Sequence, residues 1–227
     1  MAYNNIHKGV FRNRPNRFIA EVEINDKTEI CHVKNTGRCK ELLIPGAMVY
    51  ANFVDNPNRS TQYDLIAVQK GDMLINMDSY APNLAFGEYL KQGNFIADIT
   101  HIKAETKYGN SRFDFYVETA TTKVFIEVKG VTLEENGVAM FPDAPTERGI
   151  KHLNELATCI ADGYEAYVVF VVQMEGISYF TPNYKTHVAF GETLTKVTQL
   201  GVKAIAFDCK VSPNEIAINK SIPVKLN

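Results

Sequence analysis

A small all-β barrel of the OB type followed by an α/β domain is the architecture this sequence predicts, and three observations carry it. From Arg17 to Met77, short β-type segments alternate with turn residues and helical periodicity is weak. Beyond residue 80 the pattern changes to helices alternating with strands, as in an α/β domain with a mixed sheet. The run from Ala166 to Val172 is continuously apolar, which marks a strand covered on both faces.

The barrel strands are expected at Phe18–Ile24, Thr28–Val33, Ala47–Phe53, Tyr63–Gln69 and Met73–Met77. They are separated by Asn25-Asp26, Asn35-Thr36-Gly37, Pro45-Gly46, the stretch 55–60 and Gly71-Asp72, residues that turns require. Short strands of this kind also build SH3-like barrels. A proline-containing break at Ser79–Asn83 places the boundary near residue 80, giving domains 1–80 and 81–227. An amphipathic stretch, Leu84–Leu90, follows. Phe113–Val117 and Val124–Lys129 are expected to pair as strands across the turn 119–122. A helix is expected over Glu147–Ala161, capped by Thr146, with Glu147 at its positive end and Gly163 just past its last turn. Its inward face is read as Ile150, Leu153, Ala157 and Ile160. Ala166–Gln173 then forms a central strand, and a helix over Gly191–Leu200 leads into a strand over Val202–Phe207.

Composition bounds the function. The 227 residues are 45% apolar and 22% charged, with a formal net charge of -2, so nucleic acid can be held only by a local basic face. Cys31, Cys39, Cys159 and Cys209 lie far apart with no C-x-x-C pair, which indicates buried thiols and neither a zinc site nor a disulfide framework. Residues Met1–Val10 are polar and the longest apolar run is too short to span a bilayer, so a soluble cytoplasmic protein is expected.

The residues that suggest chemistry lie on the paired strands. In Val124-Phe125-Ile126-Glu127-Val128-Lys129 a period of two puts Glu127 and Lys129 on the same face. If Phe113-Asp114-Phe115 pairs with it, the Asp114 carboxylate converges on Glu127. Two carboxylates can hold Mg²⁺ or Mn²⁺, which polarises a phosphodiester and activates a water, while a lysine stabilises the developing negative charge. Glu105, just before the Asp114 strand, is a further metal-ligand candidate, and Glu88 a weaker one. The same alternation is also what any half-exposed strand shows. Arg148, Lys151 and His152 on the first turns of the helix are placed to face water or to meet phosphate. Two basic clusters flank the first barrel strands, Arg12, Arg14 and Arg17, then Lys34, Arg38 and Lys40, with Glu21, Glu23, Asp26 and Glu29 between them. Phe11, Phe18 and Tyr50 are either base-stacking residues or core, and core is the commoner fate of strand aromatics.

A series of motifs in consistent order resembles the sugar fermentation stimulation protein A (SfsA) family. They are Asn35-Thr36-Gly37, Lys107-Tyr108-Gly109, Ser111-Arg112-Phe113-Asp114-Phe115, Glu127-Val128-Lys129, Phe141-Pro142-Asp143-Ala144, Thr146-Glu147-Arg148-Gly149 with Lys151-His152-Leu153, and Lys220-Ser221-Ile222-Pro223-Val224. The resemblance implies an OB-like domain and a domain similar to PD-(D/E)xK nucleases, with Asp114, Glu127 and Lys129 on the nuclease signature, and DNA binding without sequence preference. Arg12, Arg14, Arg17, Arg38, Arg148 and Lys151 are then the candidate DNA contacts. Three positions depart from the pattern: Gly130 stands where a polar residue is expected, Arg38-Cys39 where a small or apolar pair is expected, and His187 where the family tends to have an acid. Two functions are compatible with these residues: a Mg²⁺-dependent nuclease, or a DNA-binding regulator of sugar (maltose) metabolism that keeps the nuclease fold without cutting.

Overall fold

The computed structural model describes residues 1–35 and 37–226. Thr36, in the expected Asn35-Thr36-Gly37 turn, lies outside the described residues. The chain begins with β1 (Ile6–Asn16), β2 (Ile19–Ile24), β3 (Lys27–Val33), β4 (Met48–Phe53), β5 (Tyr63–Lys70) and β6 (Met73–Asn76). The antiparallel series β3-β2-β1-β4-β5 is closed by parallel pairing of β3 with β5, making a five-stranded barrel from which β6 extends. Asn25 and Asp26 both take positive φ, the conformation that a two-residue hairpin between β2 and β3 requires. Strand β1 was not expected. Only Gly9 and Phe11 of its eleven residues are buried, so it carries too little apolar alternation to be read. Phe11 is core at 2% exposure, which removes it from the stacking candidates.

Helix α1 (Ala81–Lys91) begins three residues before the expected amphipathic stretch, with Pro82 in its first turn. A proline there forfeits no helical hydrogen bond, so the apparent break is the start of the helix. The remaining elements are β7 (His101–Tyr108), β8 (Ser111–Glu118), β9 (Lys123–Val131), β10 (Leu133–Glu135), β11 (Val138–Phe141), α2 (Glu147–Ala161), β12 (Glu165–Val172), β13 (Tyr179–Pro182), α3 (Val188–Gln199), β14 (Lys203–Ser212) and β15 (Glu215–Ile222). Six of these strands form a mixed sheet in the order β15-β14-β12-β9-β8-β7, with β9, β12 and β14 parallel. A separate small sheet joins β10, β11 and β13.

Helix α1 covers one face of the mixed sheet, packing Phe86 and Leu90 with Ile126, Val128 and Val169. Helices α2 and α3 cover the other, packing Leu153, Leu156 and Leu194 with Phe125, Phe170 and Val172. β9 is therefore covered on both faces, and the half-exposed reading of its alternation does not hold. Thr146 caps α2 as expected, its hydroxyl accepting from the Gly149 amide at 3.0 Å, and Gly163 ends the helix at φ +86°. The inward face differs from the expected one: Gly149, His152, Leu153, Leu156 and Cys159 are buried, whereas Ile150, Ala157 and Ile160 pack along the flank. The helix is turned so that His152 points in. All four cysteines are free and buried. Among the described residues no helix is long and apolar enough to cross a membrane.

Barrel and sheet are joined by buried polar bonds. The Gln173 side-chain amide donates to the carbonyls of Asn76 and Asp78 and to Asn76 Oδ1, each at 3.0 Å. Asp78 is fully buried and accepts from Lys34 Nζ at 2.7 Å. Gly130 lies beneath this junction, and a Cβ there would sit 2.7 Å from both Gln173 Oε1 and Pro82 Cγ. The proline ring is rigid and the glutamine amide is fixed by its bonds, so close approach of α1 to β9 explains why a polar residue is not found there. Gly130→Ser is expected to lose about 1–3 kcal/mol in equilibrium denaturation from overpacking; unchanged stability would show that the junction yields freely.

Candidate functional site

The ladder between β8 and β9 runs from Glu118↔Lys123 to Phe115↔Ile126 and stops there. At the next position the Asp114 carboxylate takes the place of the strand, Oδ2 accepting from the Val128 amide at 2.7 Å. The side-chain alternation of β8 changes at the same residue. Phe115 packs toward α1, 5.9 Å from the Phe86 ring, while Phe113 packs toward α2, 6.3 Å from the His152 ring. β7 follows the change, since Glu105, between Ala104↔Phe115 and Thr106↔Phe113, takes φ +49°. The strands thus part at Asp114, and the carboxylate occupies the gap. Asn83 of α1 donates to its other oxygen at 2.7 Å.

Glu127, on β9, is 3% exposed. Its Oε1 receives the Lys129 ammonium at 2.5 Å and a short hydrogen bond from His152 Nδ1. Arg148 Nε lies 3.4 Å from His152 Nε2, which assigns the ring proton to Nδ1 and the donor role toward Glu127. Glu127 Oε2 is buried and has no partner among the described residues. Burial and the charge of Glu127 push the Asp114 carboxyl up to about 6, against the bonds from Val128 and Asn83 and the charge of Lys129. Burial also raises Glu127, but the hydrogen bonds from His152 and Lys129 and the charge of Lys129 outweigh it and hold Glu127 below the ordinary carboxylate range. The neighbouring acids are driven apart in acidity, an arrangement that accompanies functional sites.

The other candidate residues are placed unevenly. Glu105 is exposed and pairs with Arg112 at 3.3 Å; among the described residues no three His, Cys, Asp or Glu side chains converge as a ready metal site, so Glu105 is not brought to Asp114 and Glu127. Glu88 is bound to the amino terminus at 2.5 Å. Arg14 donates to the carbonyls of Arg17, Asn35, Gly37 and Arg38 at 2.7–3.1 Å, so it holds the loop after β3 in shape and has little left for phosphate. Arg12 is exposed and pairs with Glu23 at 2.6 Å, and Arg17 lies 4.6 Å over the exposed Phe18 ring. Arg38 is exposed, its backbone amide bonded to Asp143. Arg148 and Lys151 are exposed and line one groove with Ser111 and Arg112, at whose base His152 reaches Glu127. The sequence reading missed Asn83 altogether and left His152 as a surface residue. The burial of His152 had a signal, since it lies beside Leu153 and three and four residues from Gly149 and Leu156; Asn83 had none.

A family model described as "Sugar fermentation stimulation protein RE domain" matches residues 80–215, and one described as "SfsA N-terminal OB domain" matches residues 13–77. A sugar fermentation stimulation protein homolog of Desulfitobacterium hafniense is 59% identical over 226 residues, covering all of this chain and 99% of the relative. Homologs from Ruminiclostridium cellulolyticum and Clostridium beijerinckii are each 58% identical over the whole of both chains. The structure described as Pyrococcus furiosus SfsA in complex with Ca²⁺ superimposes with a TM-score of 0.90 at 28% identity, over 99% of this chain and 98% of that one.

The raised Asp114 acidity gives a signed expectation for stability. The folded protein holds this proton more tightly than the unfolded chain, so its contribution is complete below the ordinary value of 3.8 and is lost as pH rises through about 6. Asp114→Asn keeps an acceptor for Val128, and the Asn83 amide can turn to meet it. In EDTA the variant is expected to be more stable than wild type at pH 8 by on the order of 2–3 kcal/mol, the gap closing toward pH 4. Denaturant titration across that range checks it, and a gap that does not change with pH would mean Asp114 is not strained by its charge.

Proposed function

The chain belongs to the sugar fermentation stimulation protein family, and from the geometry around Glu127 we propose that it is a cytoplasmic, nucleic-acid-binding protein with a divalent-cation-dependent phosphodiesterase site, acting on DNA without sequence preference. The observation that carries this is Glu127 Oε2, a buried carboxylate oxygen with no partner among the described residues, beside a second carboxylate whose acidity burial and Glu127 itself weaken. A cation relieves both costs at once. Glu127 Oε2 and Asp114 would hold Mg²⁺ or Mn²⁺, for which one or two carboxylates completed by water suffice. The relative from Pyrococcus furiosus is described in complex with Ca²⁺, which favours the same reading here.

When bound, the cation supplies Lewis acidity and an activated water. The chain's own groups do the rest. Lys129 and His152 together fix Glu127 Oε1, so the carboxylate presents its other oxygen, and Lys129 keeps a positive charge where negative charge develops on the phosphate. Asn83 and the Val128 amide orient Asp114. Arg148 and Lys151 contact backbone phosphates in the adjacent groove, and Arg17 and Arg38 extend the contact over the barrel. Such contacts fix position and carry no sequence information.

A second reading, a DNA-binding regulator of sugar (maltose) metabolism with a silent site, is favoured by the lack of a third converging metal ligand among the described residues. Labelled single- and double-stranded DNA and RNA, incubated with Mg²⁺, Mn²⁺ or EDTA, separate the two. Cation-dependent cutting that falls about 100-fold or more in Asp114→Asn and Lys129→Met, with binding in EDTA retained, is expected. Cutting that survives in both variants would sink the site assignment, and binding without cutting in every condition would favour the regulator.

A further inference from the structure

Two of the large apolar side chains that remain exposed, Tyr80 at 65% and Leu84 at 52%, line a single groove of 590 Å³ between α1 and the edge strand β7. Ile102, Ala104 and Phe115 complete its apolar wall, and Asn83 and Asp114 also line it. The exposed ring of Tyr80 and the Leu84 side chain thus stand on the wall of the same groove that Asp114 lines. Tyr80 is also held in place. Its backbone amide donates to Asp78 at 2.9 Å, and Lys34, tied to the same carboxylate, sets its ammonium 5.3 Å from the ring centroid. The two acids on the groove's rim are already matched, Glu88 by the amino terminus and Glu105 by Arg112, so neither stands as an unopposed charge against a polyanion.

We infer that this groove takes an unpaired nucleobase, stacked on Tyr80 with Leu84 beside it, from the strand whose phosphate lies at Asp114 and Glu127. The substrate is then a single strand. Aromatic platforms accept any base because every base offers a π-face, which accords with binding that ignores sequence. A base stacked and paired within a duplex cannot reach between α1 and β7, because both of its faces and its pairing edge are already engaged. The inference rests on the phosphodiesterase reading for the place of the scissile phosphate, but the groove's ligand can be tested without cleavage.

The test uses oligonucleotides carrying 2-aminopurine, single-stranded and duplex, titrated in EDTA with wild type, Tyr80→Ala and Tyr80→Phe. Quenching of the single strand, about tenfold weaker binding in Tyr80→Ala, recovery in Tyr80→Phe and no effect of either change on duplex binding are expected. Equal single-strand affinity in wild type and Tyr80→Ala overturns the inference, as does an equal loss for duplex and single strand. The two proposals fail separately. Cation-dependent cutting without any Tyr80 effect leaves the nuclease and removes the base site, whereas a Tyr80 effect without cutting under any condition leaves the base site and removes the nuclease.

Discussion

Two carboxylates buried within range of each other's charge, at the point where β8 leaves β9, constrain much of what surrounds them. Neither can be buried unsatisfied without a large penalty, and both cannot be fully ionised at ordinary cost. Each is therefore supplied from a different layer. Asp114 draws an amide from the strand it has left and a side chain from α1, and Glu127 draws Lys129 from its own strand and His152 from α2. The turn of α2 that brings His152 inward, the face change of β8 between Phe113 and Phe115 and the positive φ of Glu105 on β7 all accompany that one placement.

The barrel is bound into the same arrangement and does not hang from it as a tethered module. Arg14 gathers four carbonyls of the β1–β2 turn and the loop after β3, and that loop offers the Arg38 amide to Asp143, just ahead of the α2 cap. On the other side, Lys34 enters the buried Asp78 carboxylate, which also orders Tyr80 at the head of α1. Lys34 and Arg38 of the barrel thereby hold the starts of α1 and α2, the two helices that reach Asp114 and Glu127.

The legible parts of the sequence were those where one local rule sufficed. α2 was readable to its ends because Thr146 and Gly163 each carry a local mechanism, and β12 because burial on both faces leaves an unbroken apolar run. Asp114, Glu127 and Lys129 could be named from spacing and resemblance. β1, β7 and β15 escaped because they lie largely in contact with water or polar neighbours and show little alternation, and the short strands β10, β11 and β13 because three or four residues are too few for a period. His152 and Asn83 escaped for another reason. Their roles exist only across tertiary contacts, 25 and 31 residues from the acids they serve. Gly130 was visible as an oddity, but its cause, a proline from one helix and a glutamine just past the end of β12, is not local either.

Charge pairing decides which surface is left for a polyanion on a chain of net charge -2. Several cations of the early basic clusters are spent on their own fold: Arg12 on Glu23, Arg14 on main-chain carbonyls, Lys34 on Asp78. Beside the acid pair the partners differ in kind. Arg148 Nε bonds to the ring of His152, and the hydrogen bond of Lys151 goes to the Asn110 carbonyl, with Glu155 only at the 4.0 Å limit of an ion pair. A cation bonded to a ring or a carbonyl keeps its charge for a phosphate, while one already paired with a carboxylate must first give it up. On the nucleic-acid reading proposed above, the groove at the N-terminal end of α2 is the surface better supplied with cations bonded to no carboxylate, although Glu147 also lines it and the barrel carries more basic residues. It is also the groove whose base is His152, so the best-placed charges for holding a strand and the group that orients Glu127 lie on the same turns of one helix.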